Sequence, residues 1–219
     1  EDLAYFGMDF RRDISTPGKP PYQVSVANYT KNYVLLISSS KAFSYAGQRM
    51  AITCVSDEIY NKSYPYLKER FGTDKYGYTL VLRIIYSLSS GATHSTQYAF
   101  AAMLKAANEG HFNFVENVKE YGKRAEIMKK LFTDAGFKIV YNKDVDLELA
   151  DGFYFTIQYP NMSGDKLLRE LLLYGISAIS LDNTGSEHKD ALRACVSQIS
   201  LNMMDMLQER LDQFKNDHI

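Results

Sequence analysis

This sequence has little of what would mark it for a nucleic acid, a membrane or a metal. Its 25 Lys and Arg nearly cancel its 26 Asp and Glu, leaving a formal net charge of −1. That balance gives no electrostatic case for nucleic acid or an anionic membrane surface as the main partner. No apolar run approaches the roughly 20 residues that a bilayer-spanning helix needs. Glu1-Asp2-Leu3 offers neither a basic region nor a long apolar core, so no secretory signal is expected. The only two cysteines, Cys54 and Cys195, sit in apolar strand-like runs without Cys-x-x-Cys spacing. They are expected to be buried free thiols of a cytoplasmic protein. The four histidines, His94, His111, His188 and His218, are scattered, with no cysteine or carboxylate at ligand spacing. No metal site is therefore expected. Internal repeats and low-complexity segments are absent as well.

What is present is ordinary in bulk and unusual in one place. The chain has 219 residues, 46% hydrophobic and 23% charged, enough for one large domain or two modest ones. An apolar run over residues 33–37 leads into Ser38-Ser39-Ser40-Lys41-Ala42-Phe43-Ser44-Tyr45-Ala46-Gly47-Gln48-Arg49, and a second run over 50–55 leads out. Both runs read as strands, the first covered on both faces. A lysine at the end of a buried strand is uncommon, because a buried ammonium is costly unless paired or neutralised. Desolvated, it becomes a nucleophilic amine. Serine hydroxyls and the planar cation of Arg49 suit a phosphate. On the residues alone, two readings stand. One is a site for a phosphate-bearing carbonyl compound; the other is a hairpin-like turn with Lys41 and Arg49 in solvent.

Around that stretch the pattern predicts alternating strands and helices. Residues 10–22, with Arg11, Arg12, Asp13, Thr16, Pro17, Gly18, Pro20 and Pro21, read as loop. Ser56 caps a helix that runs towards residue 71, kinked or ended at Pro65. Residues 78–88, with Arg83 as the one charge, read as a mostly buried helix. A polar loop over 93–97 precedes an alanine-rich helix over 97–108. Phe114, Val118, Tyr121, Ala125, Met128 and Phe132 form one face of a long amphipathic helix ended by Gly136. Beyond it, strands are predicted over 137–141, 153–158, 176–180 and 192–199, and helices over 166–174 and 202–214. In the last helix Met203, Met206 or Leu207, Leu211 and Phe214 share a side, the methionines as core filler.

The register Ser38-x-x-Lys41 followed by Gly47-x-Arg49, with the arginine eight positions after the lysine, resembles the cofactor-lysine signature of class I/II aminotransferases. Ser39 and Tyr45 stand where that family more often has apolar or smaller residues. Upstream, Asp2-Leu3-Ala4-Tyr5 resembles the family's Asp-x-Ala-Tyr segment. The resemblance implies an α/β fold. Residues 1–112 would be part of the fold type I pyridoxal phosphate-dependent large domain, and residues 113–219 the C-terminal α+β small domain. It implies pyridoxal 5'-phosphate as cofactor and Lys41 as the Schiff-base lysine. Asp2 would pair with the ring nitrogen and Tyr5 with the phenolic oxygen. Ser38, Ser40 and Arg49 would hold the phosphate. Arg193, within Leu192-Arg193-Ala194-Cys195-Val196-Ser197, resembles the late arginine that binds the substrate α-carboxylate; the plainer reading is an edge-strand arginine reaching water. Thr93 or Ser95 would face a neighbouring subunit's phosphate, or simply cap a helix. Arg83 and His94 are open to contact with a substrate side chain.

The implied partners are an amino acid and a 2-oxo acid, with no nucleic acid and no membrane, in a homodimer of the full-length protein. The implied activity is amino-group transfer. Another fold type I reaction, a β-lyase or decarboxylase, uses the same residues, and a non-catalytic effector domain of a transcription regulator shares the pattern. The resemblance covers the later half of the family's sequence. The chain, which starts without Met, is therefore expected to be part of a longer protein. The family's Gly-containing phosphate loop, ring-stacking aromatic and phenolate-binding Asn would lie upstream, so the fragment alone is expected to bind cofactor poorly and turn over little.

Overall fold

A computed structural model describes residues 1–10, 16–149 and 152–218. Arg11, Arg12 and Asp13 of the loop expected over 10–22 lie outside the described residues. The chain forms two compact units, Glu1–Gly7 with Asp13–Asn117 and Met8–Arg12 with Val118–Ile219.

The first unit is built on a three-stranded sheet. Strand β1 (Asp2–Leu3) lies parallel to β2 (Val34–Ser38), which pairs antiparallel with β3 (Ala51–Val55). The β1–β2 register sets Asp2 against Leu36 and Leu3 against Ile37. Glu1 fixes this edge. Its carboxylate accepts from Ser25 Oγ at 2.8 Å and Val26 N at 3.0 Å, which holds it below the usual carboxylate range. The expectation that β2 is covered on both faces is corrected. Leu36 of β2 is 48% exposed. A sheet of three strands has too few neighbours to bury both sides, although the apolar composition of β2 suits such burial. Cys54 on β3 is a free, half-buried thiol, not the buried one expected.

Helices follow. Ser56 caps α1 (Asp57–Tyr60), its Oγ accepting from Ile59 N at 3.2 Å. Pro65 does not kink this helix. It opens a second, α2 (Pro65–Phe71), where its missing N–H costs nothing. Residues 76–89 are continuously helical: α3 (Tyr76–Tyr78), a π-helical segment (Thr79–Ile85) and α4 (Tyr86–Ser89). They were expected to be mostly buried, and they are not. Val81, Leu82 and Ile85 are at least 40% exposed and Leu88 is 83% exposed. The helix is buried along one line only, at Gly77 and Thr79. There Tyr60 comes so close that a Cβ on Gly77 would stand 2.4 Å from its ring. Helix α5 (His94–Asn108) starts three residues before its expected first turn, with the Thr93 carbonyl accepting from Gln97 N.

The division between the units falls within α6 (Phe114–Asp134). In the second unit, Val118, Ala125, Met128 and Phe132 of α6 are buried as their spacing predicts. Four antiparallel strands form its sheet in the order β4 (Lys138–Val140), β7 (Tyr154–Gln158), β9 (Ala191–Cys195), β8 (Ile179–Ser180). A small hairpin, β5 (Lys143–Asp144) and β6 (Leu147–Glu148), stands apart from it. Alternation along β7 buries Phe155 and Ile157. Helix α7 (Gly164–Leu173) buries Leu167 and Leu171, one turn apart, and α8 (Met204–Asp217) buries Met204, Leu207, Leu211 and Phe214. Met204, not Met203, takes the core position, because the helix begins one residue later than its first apolar residue suggests. Cys195, like Cys54, is free and half-buried.

Gly164 starts α7 where β9 is entered. Its N–H donates to the Lys189 carbonyl at 2.9 Å, and an added Cβ would lie 2.8 Å from that oxygen and 3.1 Å from the Ala191 carbonyl. Backbone on both sides leaves no side chain to yield. Gly164→Ala is expected to cost about 1–3 kcal/mol, the range of overpacked cores, seen as a lower urea midpoint. At the far end of α7, the Tyr174 hydroxyl donates to Asp217 at 2.7 Å, which pushes its pKa up to about 12. The bond stabilises the fold fully below pH ~10, the usual tyrosine value, and is lost as pH rises through the folded value. Asp217→Asn is expected to return Tyr174 towards ordinary titration, read from ring-carbon NMR shifts.

Candidate active site

Two parallel strands end at the same edge of a sheet, and that fact builds the site. Past the end of β1 the chain turns tightly, with Phe6 N donating to the Leu3 carbonyl at 3.1 Å and Ala4 N to Asp2 Oδ1 at 3.0 Å. The turn presents Tyr5. Past the end of β2 come Ser39, Ser40 and Lys41. Because β1 and β2 run the same way, Tyr5 and Lys41 emerge side by side, with Lys41 Nζ 5.8 Å from the centre of the Tyr5 ring. The carboxyl ends of parallel strands are where α/β sheets receive ligands. Lys41 is half-buried and Tyr5 is 40% exposed, so the lysine is not the fully buried strand-end ammonium suggested by the apolar run before it.

The segment between β2 and β3 is held from within. Ser39 is fully buried. Its Oγ donates to the Met50 carbonyl at 2.6 Å, and its own carbonyl accepts from Tyr45 N at 3.2 Å. Ser38 Oγ accepts from Ser40 N at 3.1 Å, a short turn that aims the next residue. Phe43 is buried, its ring centre 4.9 Å from Phe100 and 4.4 Å from Phe114. Buried Ala42 and Phe43 thus anchor the segment one residue past Lys41 and leave the lysine at the rim. Sequence reasoning did not single out Ser39 or Phe43. An aromatic two positions after the lysine, between strand-like runs, was the available signal.

Asp2, Tyr5, Ser38, Ser40 and Lys41 therefore gather at the ends of β1 and β2. Arg49 behaves differently. It is exposed, in the left-handed region at φ 53°, and its guanidinium turns back to donate to the Ala46 carbonyl at 2.7 Å. Arg193 belongs to the second unit. On β9 it lies opposite Thr156 of β7 and Ile179 of β8, with its guanidinium carbon 4.2 Å from the centre of the Tyr154 ring. Its Nε is buried and has no hydrogen-bond partner among the described residues. An inner-strand position between β7 and β8 replaces the edge-strand alternative. Arg83 lies over the Tyr78 ring, and Thr93, His94 and Ser95 are exposed at the start of α5. Among the described residues no cluster of three or more His, Cys, Asp or Glu could hold a metal, and no helix is long and apolar enough to cross a membrane.

With this geometry in hand, comparison with known proteins is decisive at the family level. The family model described as aminotransferase class I and II matches residues 2–211. The chain belongs to the class I and II aminotransferases. No curated relative matches it by sequence. Its fold is similar to that of solved aminotransferases. One is a mutant aspartate aminotransferase of Thermus thermophilus, at TM-score 0.68 and 15% identity, covering 98% of this chain and 49% of that one. Another is the Escherichia coli methionine aminotransferase YbdL, at TM-score 0.64 and 16% identity, covering 97% and 49%. A third is the Thermus thermophilus α-aminoadipate aminotransferase LysN, solved with N-(5'-phosphopyridoxyl)-L-leucine, at TM-score 0.65 and 15% identity, covering 99% and 49%. The chain thus spans about half the length of these relatives. Its mixed α/β fold is that of part of such an enzyme.

The packing around Phe43 makes a prediction. Phe43→Ala is expected to cost about 3–5 kcal/mol, the range for a buried aromatic, and to speed amide exchange across residues 39–50. Lys41→Ala, at the rim, is expected to change stability by less than about 0.5 kcal/mol. Urea melts and hydrogen exchange measure both.

Proposed function

We propose that this aminotransferase-family protein moves an amino group from an amino acid to a 2-oxo acid, with pyridoxal 5'-phosphate held at Lys41. The observation that carries the reading is the meeting of Lys41 and Tyr5 at the carboxyl ends of two parallel strands. The donor set fits the cofactor: an amine at the rim, a phenol beside it, a carboxylate on the adjoining strand and serine hydroxyls in the turn. When bound, the cofactor supplies an electron sink for the substrate's α-carbon.

The roles of the residues follow from their chemistry. Lys41 Nζ holds the cofactor's aldehyde carbon and, once released by a substrate amine, carries a proton to and from the substrate's α-carbon. Its half-buried position lets it do both, because the stem is fixed by Ala42 and Phe43 while the amine stays within reach. The Asp2 carboxylate keeps a ring nitrogen protonated. The Tyr5 hydroxyl donates to a phenolic oxygen. Ser38 and Ser40 offer hydroxyls to phosphate, and Arg49 joins them by exchanging its Ala46 carbonyl for a phosphate oxygen. Arg193 receives the substrate carboxylate through its planar fork. Residues 1–112 serve as part of the cofactor-binding domain and residues 113–219 as the small domain, in a cytoplasmic homodimer of the full-length protein.

The direct test adds excess pyridoxal phosphate to the chain, reduces with borohydride and maps the modified peptide. Modification at Lys41, lost in Lys41→Ala, is the expected result. Label confined to other lysines overturns the assignment. Incubation with an amino acid then separates transamination, in which pyridoxamine phosphate accumulates, from lyase or decarboxylase chemistry.

A further inference from the structure

The second unit contains a cavity of about 460 Å³ whose lining includes Tyr154, Ile179, Arg193, Met203, Met206 and Arg210. That volume lies within the range of small-molecule sites. The sheet register explains the cavity's polar end. Tyr154 is opposite Cys195, and Arg193 is opposite both Thr156 and Ile179. Directly paired residues share a face, so Tyr154, Ile179, Arg193 and Cys195 stand on the face of the sheet opposite core residues Phe155, Ile157 and Leu192. The Tyr154 ring lies 4.2 Å from the Arg193 guanidinium carbon and holds the fork in place, while the buried Nε lacks a partner among the described residues.

The rest of the lining is of a different kind. Arg193 and Arg210 are its only charged residues. Arg210 is already committed, since its guanidinium donates to the Gly175 carbonyl at 2.8 Å. No acid and no lysine lines the cavity to meet a charged side chain on a ligand. Met128, Met203 and Met206 line it together with Ile179 and Leu207. Thioether side chains adapt to flexible apolar groups. A ligand suited to this cavity carries one anionic group at Arg193 and an apolar body along the methionines.

We infer that the substrates of this protein are amino acids and 2-oxo acids with apolar side chains, selected by the wall of Met203, Met206 and Ile179 beside Arg193. The assignment to substrate rests on Arg193 receiving the carboxylate in the reaction proposed above. The ligand preference itself is measurable without cofactor. A second carboxylate is disfavoured because it would be desolvated against methionines with no free cation to meet it.

The test uses the whole chain with methionine methyl groups labelled for NMR, titrated with the 2-oxo acid of leucine and, separately, with 2-oxoglutarate. The expected result is that the Met203 and Met206 signals move with the leucine-derived acid, at a dissociation constant at least about tenfold below that for 2-oxoglutarate. Arg193→Gln is expected to weaken that binding by about tenfold or more, the usual loss for a charge-assisted contact. Arg210→Gln leaves it within about twofold. Met206→Arg, at a position 38% exposed and so tolerant of change, shifts preference towards 2-oxoglutarate. Equal or tighter binding of 2-oxoglutarate, no response of these methyl signals, or loss of binding in Arg210→Gln overturns the inference. These readouts are independent of the borohydride test. Methyl shifts without Lys41 labelling refute the cofactor reading and keep the cavity's preference. Lys41 labelling without methyl shifts refutes the preference and keeps the cofactor reading.

Discussion

The parallel pairing of β1 with β2 is the constraint on which the candidate site depends. It is short, joining Asp2 to Leu36 and Leu3 to Ile37, yet it decides which side chains meet. Had β1 run antiparallel, Tyr5 would leave the sheet at the opposite edge from Lys41. With parallel strands, a tight turn after β1 and another after β2 deliver a phenol and an amine to one place. Glu1 reinforces the pairing from outside, through its bonds to Ser25 and Val26 and through its carbonyl, which accepts from Leu36 N at 2.9 Å.

The second device is the division of labour within residues 39–50. Ser39 and Phe43 are buried and spend their polar and apolar contacts on fixing the backbone. Lys41, between them, is left at the rim. A reactive amine needs a firm stem and a free end, and alternation of buried and half-buried residues provides both within five positions. Arg49 is fixed in another way, in a left-handed turn and bonded to Ala46. A role in binding phosphate therefore requires that bond to be exchanged, a small rearrangement for an exposed guanidinium.

The two units differ in how fully they bury their apolar surface. The second has a continuous core of Ile157, Leu167, Leu171, Leu192, Val196, Leu211 and Phe214, each almost fully buried. The first leaves Leu36, Val81, Leu82, Ile85 and Leu88 in the open. A chain that spans about half the length of its structural relatives supplies correspondingly fewer neighbours for those residues. This is why the helix over 76–89 and the strand β2 were misread as buried: their apolar composition was read correctly, but composition does not report how much of the surrounding fold is on hand to cover it.

By itself the sequence determined the elements and much of the candidate chemistry. Local rules sufficed for the Ser56 cap, the face of α6 and the alternation in β7, because each depends on residues a few positions apart. The motif register around Lys41 pointed to the family for the same reason. Tertiary structure decided what local spacing does not encode. It set the direction of β1 against β2, turned Arg49 onto its own turn, placed Pro65 at a helix start and put Arg193 on an inner strand over Tyr154. Each of these is a long-range pairing or a choice between two locally allowed conformations. Such choices are settled by which neighbours the folded chain brings within reach.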